Sequence, residues 1–211
     1  MARTDDVDPA DHTDHIRYVP VGFIFKDRKE LAEARVHPSL ENGIYRGPIQ
    51  QAGVPEPAKS IVMSNRPEYP NEDSWETLLT KLYLQSTYIG MGGRGSDDDE
   101  EKSTHGGPQT ADQSFDHPMN KALQVAQKLG TSVRVTRGAG ASEFAPPKGY
   151  RYDGLYNVVD SKLEKGPSGF LVCKFYFKRE TGQVSPPTDR GPEPETSSRG
   201  TRSPKKANLE V

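Results

Sequence analysis

The stretch Gly90-Met91-Gly92-Gly93-Arg94-Gly95 is the first place to look for chemistry, because four of its six residues are glycines. A main chain without Cβ atoms can bring its amides close to a phosphate or a nucleobase. No Lys-Ser or Lys-Thr follows, so the loop lacks the form that cradles a nucleoside triphosphate. A second feature is charge. Residues 133–180 hold nine Lys or Arg against five Asp or Glu, and Arg134, Arg137, Lys148 and Arg151 among them are read as a phosphate-contacting face. Other site chemistries find little support. Asp11-His12-Thr13-Asp14-His15 sets two histidines among carboxylates, but nothing there would preorganise a metal. Cys173 is the sole cysteine, which excludes intrachain disulfides and multi-cysteine metal centres. No metal or cofactor is expected.

The elements that must carry these residues are mostly strands. In 169–179, Leu171, Cys173, Phe175 and Phe177 share one face by the two-residue period, and Lys174, Tyr176 and Lys178 share the other. Strands are also predicted at 60–63, 133–137 and 156–159. Helices are predicted at 27–35, at 116–129 with Asp116 as cap and Gly130 as stop, and at 73–83, where Trp75, Leu78, Leu79 and Leu82 form one stripe. Asp153-Gly154 reads as a turn feeding a strand, and Gly166-Pro167-Ser168-Gly169 as a turn feeding the next. The predicted class is α+β, a curved sheet or small barrel with a few flanking helices.

Composition limits how far this domain extends. Of 211 residues only 32% are hydrophobic, with 18 prolines and 20 glycines, and mean hydropathy is -0.83. Residues 1–17 read as an acidic disordered tail, 18–180 as the folded domain and 181–211 as a second disordered tail. No apolar run approaches the roughly 20 residues of a membrane helix, and the acidic N-terminus does not look like a secretory signal. A net charge of -2 gives no global preference for nucleic acid.

Arg151-Tyr152-Asp153-Gly154-Leu155-Tyr156 is followed by Lys165-Gly166-Pro167-Ser168-Gly169-Phe170-Leu171-Val172. Earlier come Arg28-Lys29-Glu30-Leu31, Val36-His37, Asn42-Gly43-Ile44-Tyr45, the glycine loop after Tyr88-Ile89, and Gln109-Thr110-Ala111-Asp112-Gln113-Ser114. Asn120-Lys121-Ala122-Leu123, Val133-Arg134-Val135 and Ala145-Pro146 complete the series. In this order they resemble the SRA domain, also called YDG after the Tyr152-Asp153-Gly154 triplet, and in particular its stand-alone fungal type.

The resemblance implies a PUA-like barrel that binds double-stranded DNA containing 5-methylcytosine and flips that base into a pocket. By that likeness Tyr88 and Tyr69 would stack on the base, and Glu72 or Asp73 would accept from its N4 amine. Ile89, Gly90 and Met91 would line the pocket, while Glu41, Asn42, Arg94 and Gln109 would lie near the DNA backbone or groove. The chain departs from the pattern in several places: the Tyr69–Tyr88 segment is longer than usual, and Ile89 is apolar where a hydroxyl residue is common. Glu41 stands where an apolar wedge is expected, and Asp97-Asp98-Asp99-Glu100-Glu101 occupies what should be a basic finger. The implied role is a non-enzymatic, monomeric reader in nuclear chromatin, with chromatin proteins as possible partners. Alternatives are the DNA-recognition part of a modification-dependent nuclease, or the same fold turned to protein binding.

Overall fold

A computed structural model describes residues 16, 18–64, 73–78, 81–93, 109–140 and 144–186. Among these residues eight strands form one mixed sheet: β1 (Ile24–Phe25), β2 (Ile44–Tyr45), β3 (Ser60–Met63), β4 (Asp73–Leu78), β5 (Lys81–Ile89), β6 (Val133–Gly138), β7 (Tyr150–Lys165) and β8 (Leu171–Arg179). Their order is β2-β3-β6-β7-β8-β5-β4, with β1 pairing with β7 off this path. Among the described residues two helices, α1 (Arg28–Glu33) and α2 (Pro118–Leu129), join this sheet in an α+β fold.

Local sequence explains most of these elements. On β8, Cys173, Phe175 and Phe177 are fully buried while Lys174, Tyr176 and Lys178 are half-buried on the other face. Gly166 and Gly169 close the turn before it, with Gly169 at φ 87. Helix α1 starts at Asp27, whose carboxylate accepts from the Glu30 N–H. Helix α2 ends at Gly130 in the left-handed region. Its cap is His117, one residue after the expected Asp116, because Pro118 occupies the first turn.

Three expectations are corrected. Residues 73–83 are not a helix: β4 and β5 form an antiparallel pair in which Asp73 meets Ser86 and Leu78 meets Lys81. Pairing of β5 with β8 over Gln85–Ile89 then joins this ladder to the rest of the sheet. Asp153-Gly154 is not a turn. It lies inside β7, where the register with β6 slips, so that Val135 meets Gly154 and Thr136 meets Tyr152. Asp153 is the extra residue of this bulge, and Gly154 takes φ 104. Finally, Arg134, Arg137 and Arg151 do not form a DNA-facing surface, being 0%, 3% and 4% exposed.

The bulge explains why two of these arginines turn inward. Asp153 accepts from Arg137 Nε at 2.8 Å and from Arg151 Nε at 2.6 Å, and its backbone carbonyl accepts from Arg179 Nε at 3.1 Å. Arg137 also donates to Ser86 on β5 at 3.3 Å. Three strand spacings of a flat sheet would separate β6 from β5 by about 14 Å, out of reach of one side chain. The sheet therefore curls, and the main core gathers Ile44, Met63, Tyr88, Leu123, Phe175 and Phe177. A smaller core gathers Ile16, Phe25, Leu31, Val36 and Tyr152. Packing continues past Glu180: the Gln183 amide both donates to and accepts from the main chain of Leu155, each at 2.8 Å.

Candidate functional site

Tyr88 sits on β5 where two loops converge, and it is 6% exposed. Its ring meets Phe177 edge-on at 6.3 Å between centroids. Its hydroxyl lies against Gly43, so close that a Cβ there would come within 2.5 Å of the oxygen. Burial raises the phenol's pKa well above its ordinary value, against a smaller opposing effect of the Arg28 charge, so Tyr88 stays neutral.

The glycine loop is fastened from behind. Gly90 donates to Cys173 O, and Gln113 Nε2 donates to Gly90 O at 2.9 Å. The Asn120 amide accepts from Met91 N and donates to Met91 O, at 2.8 and 2.9 Å. Gly93 O accepts from the N–H groups of Thr110 and Ala111. Over 90–93 most of the main chain is therefore engaged internally, beside Tyr88. The glycines provide clearance, since a Cβ at Gly90 would stand 2.4 Å from Asn120 Oδ1. Gln109, expected at the groove, is 4% exposed and turned inward, donating to Ala111 O and Leu171 O and accepting from Ser168.

The other loop, residues 39–43, hangs from one guanidinium. Arg28 donates to Ser39 O at 2.8 Å, to Leu40 O at 3.1 Å and to Asn42 O at 2.6 Å. His37 is fully buried, with Nε2 2.9 Å from Asn42 O and Nδ1 2.9 Å from Ser60 Oγ. With the carbonyls drawn inward, Leu40, Glu41 and Asn42 are exposed at the tip.

Burial, then the nearby Arg28 and more weakly Arg134, lowers the His37 pKa to about 3 despite its bond to Asn42 O. In the unfolded chain this imidazole takes up a proton near its ordinary value of about 6.5. Its stabilising contribution is complete above that value and is lost as pH falls toward about 3. Between pH 7 and pH 5 the loss should be about 2 kcal/mol, measured by urea unfolding, and His37→Gln should flatten that part of the profile.

Of the remaining expected residues, Lys148 is exposed, while Ile89 and Met91 are half-buried, Met91 against the Tyr88 core. Asp73 opens β4 opposite Ser86, two residues from Tyr88 along β5. Tyr69, Glu72, Arg94 and the acidic run 97–101 lie outside the described residues. Tyr152, Asp153 and Gly154 form the buried bulge and do not reach this site. Sequence reasoning did not give Arg28, His37, Gln113 or Asn120 a role, although each belonged to a short string quoted for the family likeness. Cys173 is buried, and burial pushes its thiol up to about 11, which suits a core residue and not a nucleophile. Among the described residues no group of three or more His, Cys, Asp or Glu could hold a metal ion.

Comparison with known proteins gives a consistent answer. The SAD/SRA domain model matches residues 12–183. A UHRF1-like protein of Cryptococcus neoformans var. grubii is 36% identical over 173 residues, covering 80% of this chain and 46% of that protein. The E3 ubiquitin-protein ligase UHRF1 of Danio rerio is 32% identical over 206 residues, covering 88% of this chain and 24% of that one. The chain thus spans less than half the length of these relatives. Among solved structures, the SUVH5 SRA domain in complex with fully methylated CG DNA superposes with a TM-score of 0.60 at 29% identity, covering 82% of this chain and 98% of that one. The modification-dependent TagI restriction endonuclease superposes with a TM-score of 0.60 at 32% identity, covering 80% and 52%.

Proposed function

Because this chain belongs to the SAD/SRA domain family, we propose that it is a non-enzymatic reader of 5-methylcytosine in double-stranded DNA that draws the modified base out of the helix. The observation that carries this reading is Tyr88, an aromatic ring fixed between Phe177 and Gly43 where two braced loops meet. Extruding a base costs a few kcal/mol of unstacking and unpairing, so the protein must supply a replacement face and edge. Tyr88 supplies one face and Tyr69 the other. The N4 amine of cytosine donates, which calls for a carboxylate acceptor from Glu72 or Asp73. Exposed cations such as Lys148 contact phosphates and add affinity that carries no base information. Nuclear chromatin is the setting in which such a reader acts, and one folded domain binds as a monomer.

Titration of unmodified, hemimethylated and fully methylated CpG duplexes at fixed salt tests the reading. A fluorescent base analogue at the modified position should brighten on binding. Base–aromatic stacking is worth about 1–3 kcal/mol, so Tyr88→Ala should weaken methylated duplex roughly 5- to 150-fold and unmodified duplex much less. Equal affinity of the parent protein for both duplexes, with no brightening, would sink the assignment. A second reading, the recognition part of a modification-dependent nuclease, draws on the likeness to TagI. It requires a cleavage module from elsewhere, and methyl-dependent cutting only in the presence of a partner chain would favour it.

A further inference from the structure

We infer that Gly43 is a positioning residue: the clamped 39–43 loop sets the depth of the Tyr88 ring, so that what touches the loop tip and what seats against Tyr88 are coupled. The inference rests on the reading of Tyr88 as a base-stacking residue.

The loop is held at several points along its main chain. Its carbonyls at 39, 40 and 42 all point to the Arg28 guanidinium, whose planar fork fixes several acceptors at once. His37 grips Asn42 O a second time. The Asn42 N–H donates to Ser39 Oγ at 3.0 Å, and Gly43 O accepts from Val62 N at 2.8 Å, tying the loop to β3. Arg28 is in turn stacked 5.9 Å from the Tyr150 ring centroid.

Tyr88 is held equally firmly from below. The β5–β8 register places it opposite Phe175, and its ring abuts the edge of Phe177. The contact between these two rigid bodies is the Tyr88 hydroxyl against the bare α-carbon of Gly43. A Cβ at that position would stand 2.5 Å from the hydroxyl oxygen and 3.7 Å from Cζ. Gly43 is not among the residues with positive φ, so its glycine identity serves space and not backbone conformation. Close-packed interiors transmit such a displacement because there is no void to absorb it. A side chain at Gly43 must therefore displace the ring, the loop, or both.

A double-mutant cycle reads this coupling directly. The four proteins are the parent, Gly43→Ala, Tyr88→Phe and the combined variant, each titrated with methylated and unmodified duplex at one salt concentration. The readout is the ratio of the two affinities. Gly43→Ala should lower the ratio on the order of tenfold in the parent, and less than about twofold on the Tyr88→Phe background, where the clashing oxygen is gone. An equal loss on both backgrounds, or none on either, would overturn the inference. The melting temperatures of the same four proteins form a second cycle that needs no DNA. If Gly43→Ala melts too low to assay, its recovery by Tyr88→Phe carries the inference and its failure to recover overturns it. A parent that binds both duplexes equally defeats the functional reading alone, and the thermal cycle then decides the contact by itself.

Discussion

Asp153→Asn should destabilise the domain by about 3–5 kcal/mol, more than any surface charge substitution. The carboxylate is fully buried and accepts from Arg137 at 2.8 Å and from Arg151 at 2.6 Å, and both guanidiniums are themselves buried. An amide of the same shape removes the charge and turns one N–H pair toward groups that only donate. Two buried cations then lose their shared counter-charge, which is the costly way to break an ion pair. The β5 anchor weakens with it, since Arg137 also reaches Ser86 two residues from Tyr88. Calorimetry should record a melting point lower by about 10 °C. The Lys162–Asp160 pair, 56% and 48% exposed, provides the control: Asp160→Asn should leave the transition where it is. If Asp153→Asn behaved like that control, the signature triplet would have no structural weight here.

Phe175→Ala should cost about 3–5 kcal/mol in urea unfolding, from lost apolar burial and the cavity left behind. Phe175 is 0% exposed and meets Phe115 edge-on at 5.7 Å. It is also the register partner of Tyr88, so the cavity opens beside the residue proposed to stack on the base. Binding to methylated duplex should therefore weaken together with stability. A stability loss under about 1 kcal/mol would mean that the neighbouring side chains collapse into the space.

How much of this could be read beforehand depends on whether a residue's role is set locally. The β8 face was legible because alternation of Leu171, Cys173, Phe175 and Phe177 has a single reading at the strand period. Residues 73–83 were misread because Trp75, Leu78, Leu79 and Leu82 also satisfy the helical period. The antiparallel ladder of β4 with β5, which continues onto β8 only at 85–89, decides between the two. Arg137 and Arg151 were placed on the surface because charged strand residues ordinarily face water. Their inward turn depends on the Asp153 bulge, a backbone irregularity that no pattern of polarity displays. The family likeness singles out Tyr88 by its place before the glycine loop, and the structure puts it at the end of β5, buried where two loops meet. The close approach of Gly43 to the Tyr88 hydroxyl and the hold of Arg28 on residues 39–42 were not legible, because their partners are brought together only by the fold.

The strand order has a consequence for how the molecule comes into being. Parallel pairing of β3 with β6 and antiparallel pairing of β5 with β8 both join segments far apart along the chain. Such contacts are the slowest to form, because the loop entropy is lost before the pairing rewards it. On the ribosome the β4–β5 hairpin emerges long before β8 exists, and its apolar strand waits with an open edge. That interval, and not the finished fold, is where the chain is most prone to aggregate. Recovery from denaturant should fall steeply with protein concentration, even though the native domain is well packed.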